Sequence, residues 1–137
     1  MTDDIKKKID VVFIAGGKFH DIDFARLEIL KLLAEDDRMK VRVFEDYSNL
    51  HAIEKADFLI TYTCDVRPTL EQQRVLKDYV SSGNRWLALH GTNSILQFMS
   101  DGKVDSPRIA PVMMETLGSQ FIAHPPIEPY KVKVVQP

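Results

Sequence analysis

The chain has 137 residues, a formal net charge of −2 and a hydrophobic content of 45%, values that suit one globular domain with its own core. This charge balance favours neither nucleic acid nor an anionic membrane as a partner. Cys64 is the one cysteine of the chain, so an intramolecular disulfide is excluded. No apolar run is long enough to span a bilayer. We therefore expect a cytoplasmic protein with a single domain over residues 1–137.

The first two thirds of the chain alternate strand and helix patterns. Short apolar runs predict strands over residues 9–15, 41–44, 56–62 and 85–90. Apolar residues at helical spacing predict helices over residues 24–36, 49–55 and 69–81. Thr69 and Gln72 have the spacing of a capping box at the start of the third helix. This alternation with short links predicts parallel strands joined by right-handed crossovers.

The pattern changes after His90. Residues 95–99 and 112–117 have the apolar spacing of short helices. Pro125 and Pro126 exclude a helix near the end of the chain and stiffen that segment. Residues 130–135 alternate apolar and charged side chains, which predicts a half-exposed strand at the edge of the sheet.

His90 is the first candidate for chemistry, because it ends an apolar run and Gly91 comes directly after it. A glycine there permits a sharp turn, and Thr92, Asn93 and Ser94 can each cap a helix. In open α/β sheets, ligands bind outside the carboxyl ends of the strands. His90 is therefore a candidate catalytic residue, and a structural histidine that lines a turn is the alternative.

Two other strand ends carry polar residues. Gly16 and Gly17 match neither phosphate-loop pattern, but the turn they make presents His20 and Asp21 at the end of the first strand. For Asp21 the alternative is a helix N-cap. Asp65 is a carboxylate at the end of the third strand, and its alternative role is to cap a turn. Cys64 precedes it, but nothing around it predicts the lowered pKa that a nucleophilic thiol needs.

Three stretches in order resemble the ThuA-like family, which is named for trehalose utilisation and belongs to the class I glutamine amidotransferase-like superfamily. They run from Gly16-Gly17 to His20-Asp21, over Leu89-His90, and from Gly118-Ser119-Gln120-Phe121 to His124-Pro125-Pro126. The resemblance implies a flavodoxin-like three-layer α/β sandwich with a mainly parallel sheet and helices on both faces. Such domains usually continue further, so it also implies a C-terminally shortened domain or a fragment.

The resemblance also relates the position of His90 to the nucleophile of the glutamine amidotransferases. In glutamine amidotransferases a cysteine nucleophile lies at the tip of the corresponding strand, where this chain has His90. Glutamine hydrolysis by that route is therefore expected to be absent. Family members often carry an aspartate shortly after this histidine, whereas here the sequence continues Thr92-Asn93-Ser94.

The expected site is the rim formed by the strand ends. His90 is predicted to act as a general acid or base. The residues predicted to bind substrate are His20, Asp21, Asp65, Thr92, Asn93 and His124. Histidine clusters also bind divalent metals such as zinc, so His20, His90 and His124 remain alternative metal ligands.

The resemblance implies a small sugar-like ligand from disaccharide or keto-sugar catabolism. Tyr62, Trp86 and Phe121 are candidates for an apolar platform under a sugar ring, with core packing as the alternative. A non-catalytic small-molecule-binding or protein-interaction domain on the same fold is the alternative function. A homo-oligomer is also left open.

Overall fold

Four parallel strands form the centre of the molecule, whose computed structural model describes residues 7–136. Their order in the sheet is β2-β1-β3-β4. The strands are β1 (Ile9–Gly17), β2 (Met39–Phe44), β3 (Phe58–Cys64) and β4 (Arg85–Ala88). All three pairings are parallel. The predicted strands and their parallel arrangement are confirmed.

Helices cover both faces of this sheet because successive side chains of β1 point to opposite sides. Val11 and Phe13 pack on one face against α1, and Val12 and Ile14 pack on the other against the remaining helices. The helices are α1 (Ile22–Leu33), α2 (Leu50–Lys55), α3 (Leu70–Ser81) and α4 (Pro111–Leu117). The predicted flavodoxin-like three-layer sandwich is therefore confirmed.

The helix starts agree with local sequence signals. Thr69 accepts a hydrogen bond from the N–H of Gln72, whose side chain accepts one from the N–H of Thr69, so the capping box is present. Asp21 is the N-cap of α1 and accepts a bond from the N–H of Phe24 at 2.9 Å. Within residues 7–136, no helix is long and apolar enough to cross a membrane.

The predicted helix over residues 95–99 is wrong. The chain turns at Gly91 and then forms a hairpin of β5 (Gln97–Phe98) and β6 (Val104–Asp105). A helix over residues 95–99 would pair the N–H of Met99 with the carbonyl oxygen of Ile95, but this N–H donates to the carbonyl oxygen of Lys103 in the hairpin at 2.8 Å. The N–H of Leu96 donates to the Asp65 carboxylate and anchors the start of this segment.

The predicted strand over residues 130–135 is also wrong. The structure assigns no strand there, and every described residue from 122 to 136 is exposed. Tyr130 and Val132 have exposed fractions of 85% and 76%. An alternating pattern becomes a strand only when a sheet edge supplies its hydrogen bonds and a face to pack on. This segment pairs with no edge in the described part of the chain.

Candidate functional site

The strand order brings three polar strand ends to one edge of the sheet. Gly17 of β1 is in register with Cys64 of β3, and Thr61 of β3 is in register with Ala88 of β4. The loops after these strands carry His20, Asp65 and His90. The strands before these three residues are therefore neighbours in the sheet.

His20 and His90 are in direct contact, although 70 positions separate them in the sequence. Their Nε2 atoms lie 2.9 Å apart, and their rings meet edge to face with centroids separated by 4.8 Å. His20 Nδ1 lies 3.3 Å from the carbonyl oxygen of Lys18. Because a carbonyl only accepts, this contact assigns the proton of neutral His20 to Nδ1. Its Nε2 then accepts a hydrogen bond from Nε2–H of His90.

The ring of Tyr62 flanks this histidine pair. It meets His20 edge to face with centroids 6.2 Å apart, and its centroid lies 6.5 Å from that of His90. Trp86 instead donates its indole N–H to Thr61 at 2.9 Å, and its half-buried ring packs against the core. Of the three aromatic residues proposed as a platform, Tyr62 is therefore the one beside the pair. Phe121 lies near His124, with ring centroids 6.0 Å apart.

Two open cavities adjoin the pair. One, of about 300 Å³, is lined by polar residues together with small and apolar ones, namely His90, Thr92, Asn93, Ser119, Ala88, Leu89, Gly91 and Leu117. The other, of about 350 Å³, is lined by His20 and by charged residues. These charged residues are Asp21, Asp23, Arg26 and Glu45. One cavity thus offers amide and hydroxyl groups, and the other offers three carboxylates and one guanidinium.

The turn after His90 is held by buried contacts. Gly91 has a φ of 84°, and a Cβ on it would lie 2.6 Å from the carbonyl oxygen of Thr63. The hydroxyl of Thr92 lies 3.0 Å from that of Thr61, and Thr92 is 3% exposed. Thr92 therefore uses its hydroxyl to anchor the turn to β3, although it also borders the first cavity.

Asp65 is a nearly buried carboxylate with several partners. Its side chain is 4% exposed and lies 3.3 Å from Lys18 Nζ and 3.2 Å from Arg67 Nε, and it accepts a bond from Leu96 N–H at 3.1 Å. Burial raises the pKa of this carboxyl, but the bonds from Leu96, Arg67 and Lys18 outweigh burial and hold the pKa below its usual value. Asp65 thus ties together the loops that carry the two histidines.

Of the other residues predicted to bind substrate, Asp21 and Asn93 line the cavities, whereas His124 makes no hydrogen bond or ring contact with the histidine pair in the described structure. Asp21 caps α1 and also lines the second cavity. Asn93 lines the first cavity and donates its amide to the Ser119 hydroxyl at 3.0 Å. His124 is exposed, and its Nδ1 lies 2.7 Å from the carbonyl oxygen of Pro125. It makes no hydrogen bond or ring contact with His20 or His90 in the described structure.

The structure bears on two further predictions, the role of Cys64 and the metal site predicted at the histidines. Cys64 is 2% exposed, and burial together with the negative charge of Asp65 raises the pKa of its thiol.

Among residues 7–136, no group of three or more His, Cys, Asp or Glu side chains is arranged to hold a metal ion. The predicted trio of histidines is therefore a pair.

Sequence reasoning missed the aromatic contact beside the pair. Phe19 has a φ of 68°, and its ring centroid lies 5.3 Å from that of Phe98 in β5. Both side chains are more than half exposed. A bulky residue with positive φ is uncommon, and no local signal indicates it. The glycines predict a turn, but they do not predict the backbone conformation of Phe19, two residues after Gly17.

Comparisons with known proteins do not extend this description. No family model matches the chain. Neither the curated proteins nor the solved structures include a match to it. Function must therefore be argued from the site itself.

Proposed function

We propose that this chain is a ThuA-like protein of carbohydrate catabolism that acts in the cytoplasm on a sugar-like small molecule. His90 would act as its general acid or base. The observation that carries the proposal is the 2.9 Å contact between the Nε2 atoms of His20 and His90 at the carboxyl edge of the sheet. The order of the motifs around His20, His90 and His124 supports the family assignment.

The hydrogen bonds of the pair give His20 and His90 different roles. Lys18 O holds the proton of His20 on Nδ1, and His20 Nε2 accepts the proton of His90. Nδ1 of His90 is then left with a lone pair, and it has no hydrogen-bond partner among residues 7–136. This atom can take a proton from a ligand hydroxyl, while His20 stabilises the imidazolium that forms. His20 thus has the orienting role of the third group in a catalytic triad.

The cavities on either side suit a polyhydroxylated ligand. Asn93 and Ser119 can donate to and accept from sugar hydroxyls, and Asp21 can accept two such bonds. Tyr62 provides an aromatic ring beside the pair. Glutamine hydrolysis is not part of the proposal, because Cys64 is buried with a raised pKa and the turn after β4 carries His90 instead of a cysteine.

A panel of sugars and keto-sugars that includes trehalose tests this proposal by thermal shift. A ligand that binds the native state raises the melting temperature. We expect the shift to disappear in His20→Ala and His90→Ala and to persist in His51→Ala, which changes an exposed histidine on α2. Circular dichroism of each variant verifies the fold. An undiminished shift in His90→Ala would refute the role of this residue.

A non-catalytic ligand-binding domain is the second candidate. It is favoured by the fact that Asp65 and Thr92 use their polar atoms for internal bonds, and that neither His20 nor His90 forms an ion pair within residues 7–136. This candidate expects the same thermal shift without conversion of the ligand. Chromatographic or NMR analysis of the ligand after incubation separates the two, since turnover would rule out the binding-only function.

A further inference from the structure

We propose that His20 and His90 together bind one divalent transition-metal ion of the kind that prefers imidazole nitrogen, such as Zn²⁺ or Ni²⁺. The two side chains would supply two ligands, and water or ligand oxygens would fill the other positions. This inference concerns the same site as the proposed function. It differs in that the ion would occupy Nε2 of both rings, so that neutral His90 carries its proton on Nδ1 and the ion replaces His90 as the group that activates a ligand hydroxyl.

The first argument is the convergence of the two nitrogens. Nε2 of His20 and Nε2 of His90 point at each other across 2.9 Å. Tetrahedral zinc with Zn–N bonds of about 2.0–2.1 Å separates two ligand nitrogens by roughly 3.3 Å. An opening of a few tenths of an ångström would thus admit the ion. His90 lies in an exposed turn, where a small side-chain rotation meets little resistance.

The second argument is the environment of the other ring nitrogen of His20. Histidines that bind a metal usually donate their second N–H to a carboxylate or a backbone carbonyl, which fixes the tautomer and the ring orientation. His20 Nδ1 has this arrangement, 3.3 Å from the carbonyl oxygen of Lys18. The lone pair of its Nε2 is consequently directed at the point where the ion would lie.

The third argument is electrostatic. The lysine nearest in sequence to the pair, Lys18, lies 3.3 Å from the carboxylate of Asp65, which it shares with Arg67, so its charge is partly offset. The adjacent cavity is lined by Asp21, Asp23 and Glu45 against the single guanidinium of Arg26. Its net negative charge attracts a cation toward the pair.

The ligand types indicate the class of metal. Neutral imidazole suits zinc, nickel and copper, whereas magnesium and calcium prefer oxygen ligands. An ion with two protein ligands keeps open positions that face the two cavities. Adjacent hydroxyl or hydroxy-keto oxygens of a polyol can occupy these positions, and the ion would then polarise them.

Calorimetric titration of the metal-free full-length protein with Zn²⁺ and Ni²⁺ tests this proposal. The chain contains four histidines, so His51 and His124 provide the background of exposed residues. We expect one ion per chain in the wild type and in the His51→Ala/His124→Ala variant, and at least tenfold weaker binding in His20→Ala and in His90→Ala. Equal affinity in all variants, or loss of binding in the surface variant, would overturn the proposal.

A second measurement does not depend on any variant folding. Two-dimensional NMR of the imidazole nitrogens of the wild type, with and without Zn²⁺, reports coordination at each ring nitrogen. We expect the Nε2 resonances of His20 and His90 to shift on binding and those of His51 and His124 to remain. Shifts confined to the latter two histidines would contradict the assignment.

Failure of this inference and failure of the proposed function give different results. A sugar-dependent thermal shift that persists in chelator, with no metal binding, retains the function and overturns the metal site. Metal binding at the pair with no sugar effect supports the metal site and overturns the sugar ligand. A sugar effect that requires the metal supports the metal site and the sugar ligand and overturns the role of His90 as the general base.

Discussion

At the scale of single residues, Asp65 shows how a buried carboxylate organises the site. Its φ of 57° is unusual for a residue other than glycine, although aspartate tolerates this region better than most. Its carboxylate joins Lys18 of the first loop, Arg67 of its own loop and Leu96 of the third. Because both histidines lie in loops that it holds, Asp65 is a positioning residue for the pair.

Replacing Asp65 with asparagine keeps a side chain that tolerates the positive φ but removes the charge. We expect Asp65→Asn to lower the free energy of unfolding by roughly 1–3 kcal/mol at neutral pH, since bonds to charged groups have that magnitude. The folded pKa of Asp65 lies below its unfolded value of about 3.9. Its contribution is thus complete above the unfolded pKa and lost as pH falls through the folded pKa.

Urea denaturation of wild type and Asp65→Asn between pH 7 and pH 3 measures this contribution. The difference between the two proteins should be constant down to about pH 5 and should shrink below about pH 4. Asp78→Asn is the control, because Asp78 is an exposed aspartate of α3 whose carboxylate forms no hydrogen bond or ion pair within residues 7–136. A difference that does not change over the whole range would contradict the electrostatic role.

Cys64 provides the second prediction at this scale. Its thiol is 2% exposed, and burial with the nearby Asp65 charge raises its pKa. We expect it to react with a disulfide reagent at pH 8 at least tenfold more slowly in the native protein than in urea, because both accessibility and the thiolate fraction are low. A rate in the native protein equal to that in urea would show that the thiol is accessible, and Cys64 would again be a candidate nucleophile.

At the scale of elements, the glycine turns decide where the loops go. Gly17 has a φ of 107°, and a Cβ on it would lie 1.8 Å from the carbonyl oxygen of Cys64. Gly91 has the same kind of close contact with Thr63. Two loops therefore approach the backbone of β3 from both sides, which is possible because these positions have no side chain. This close packing brings His20 and His90 together at the carboxyl end of β3.

Alanine substitutions at Gly91 and Gly83 separate the two energetic costs of a side chain in such a turn, which are positive-φ strain and steric overlap with β3. Gly91→Ala introduces positive-φ strain and a Cβ 2.6 Å from the Thr63 oxygen, whereas Gly83→Ala at a φ of 90° meets no atom within 4 Å. We expect Gly83→Ala to cost about 1–2 kcal/mol from strain and Gly91→Ala to cost at least about 1 kcal/mol more. Chemical denaturation measures both. Equal losses would show that the approach to β3 is looser than described.

The cap of α1 gives a test of Asp21. Asparagine caps helices about as well as aspartate, so Asp21→Asn should change the free energy of unfolding by less than about 0.5 kcal/mol, whereas Asp21→Ala should cost about 1 kcal/mol. If the charge of Asp21 contributes to binding, Asp21→Asn should weaken the ligand-dependent thermal shift without changing the melting temperature of the free protein. An unchanged shift would limit Asp21 to its capping role.

At the scale of the whole molecule, the core and the last segment behave differently. Two clusters of buried side chains fill the two faces of the sheet. By contrast, residues 122–136 are all exposed and include large apolar side chains such as Ile127 and Tyr130. Phe121 marks the transition, since its N–H donates to the carbonyl oxygen of Asn93 at 3.0 Å. The stability of the fold should therefore depend little on the exposed residues after Phe121.

Two truncations test this division. A chain that ends at Ala123 should keep its melting temperature within about 2 °C, because exposed residues contribute little. A chain that ends at Gly118 also loses the bonds of Ser119, Gln120 and Phe121, and its melting temperature should fall by at least about 4 °C. Thermal denaturation compares them. A large loss in the longer chain would show that the exposed segment contributes to the fold.

The sequence by itself determined the features that depend on neighbours in the chain. Apolar runs and helical stripes predicted the four strands and the main helices, Thr69 and Gln72 predicted a capping box, and Gly91 predicted a turn after the strand. The ThuA-like resemblance remains a proposal. The confirmed fold arises from patterns in which local preference and burial agree.

Only the tertiary structure decided which polar groups meet. The contact between His20 and His90 depends on the register of β1, β3 and β4, and no local pattern encodes a distance across 70 residues. The same holds for the long-range bond from Leu96 N–H to Asp65, which joins two loops 31 positions apart. His124 shows the converse, because its rigid proline segment does not bring it to the rim. Local sequence specifies backbone preferences, whereas a site depends on where distant loops are packed.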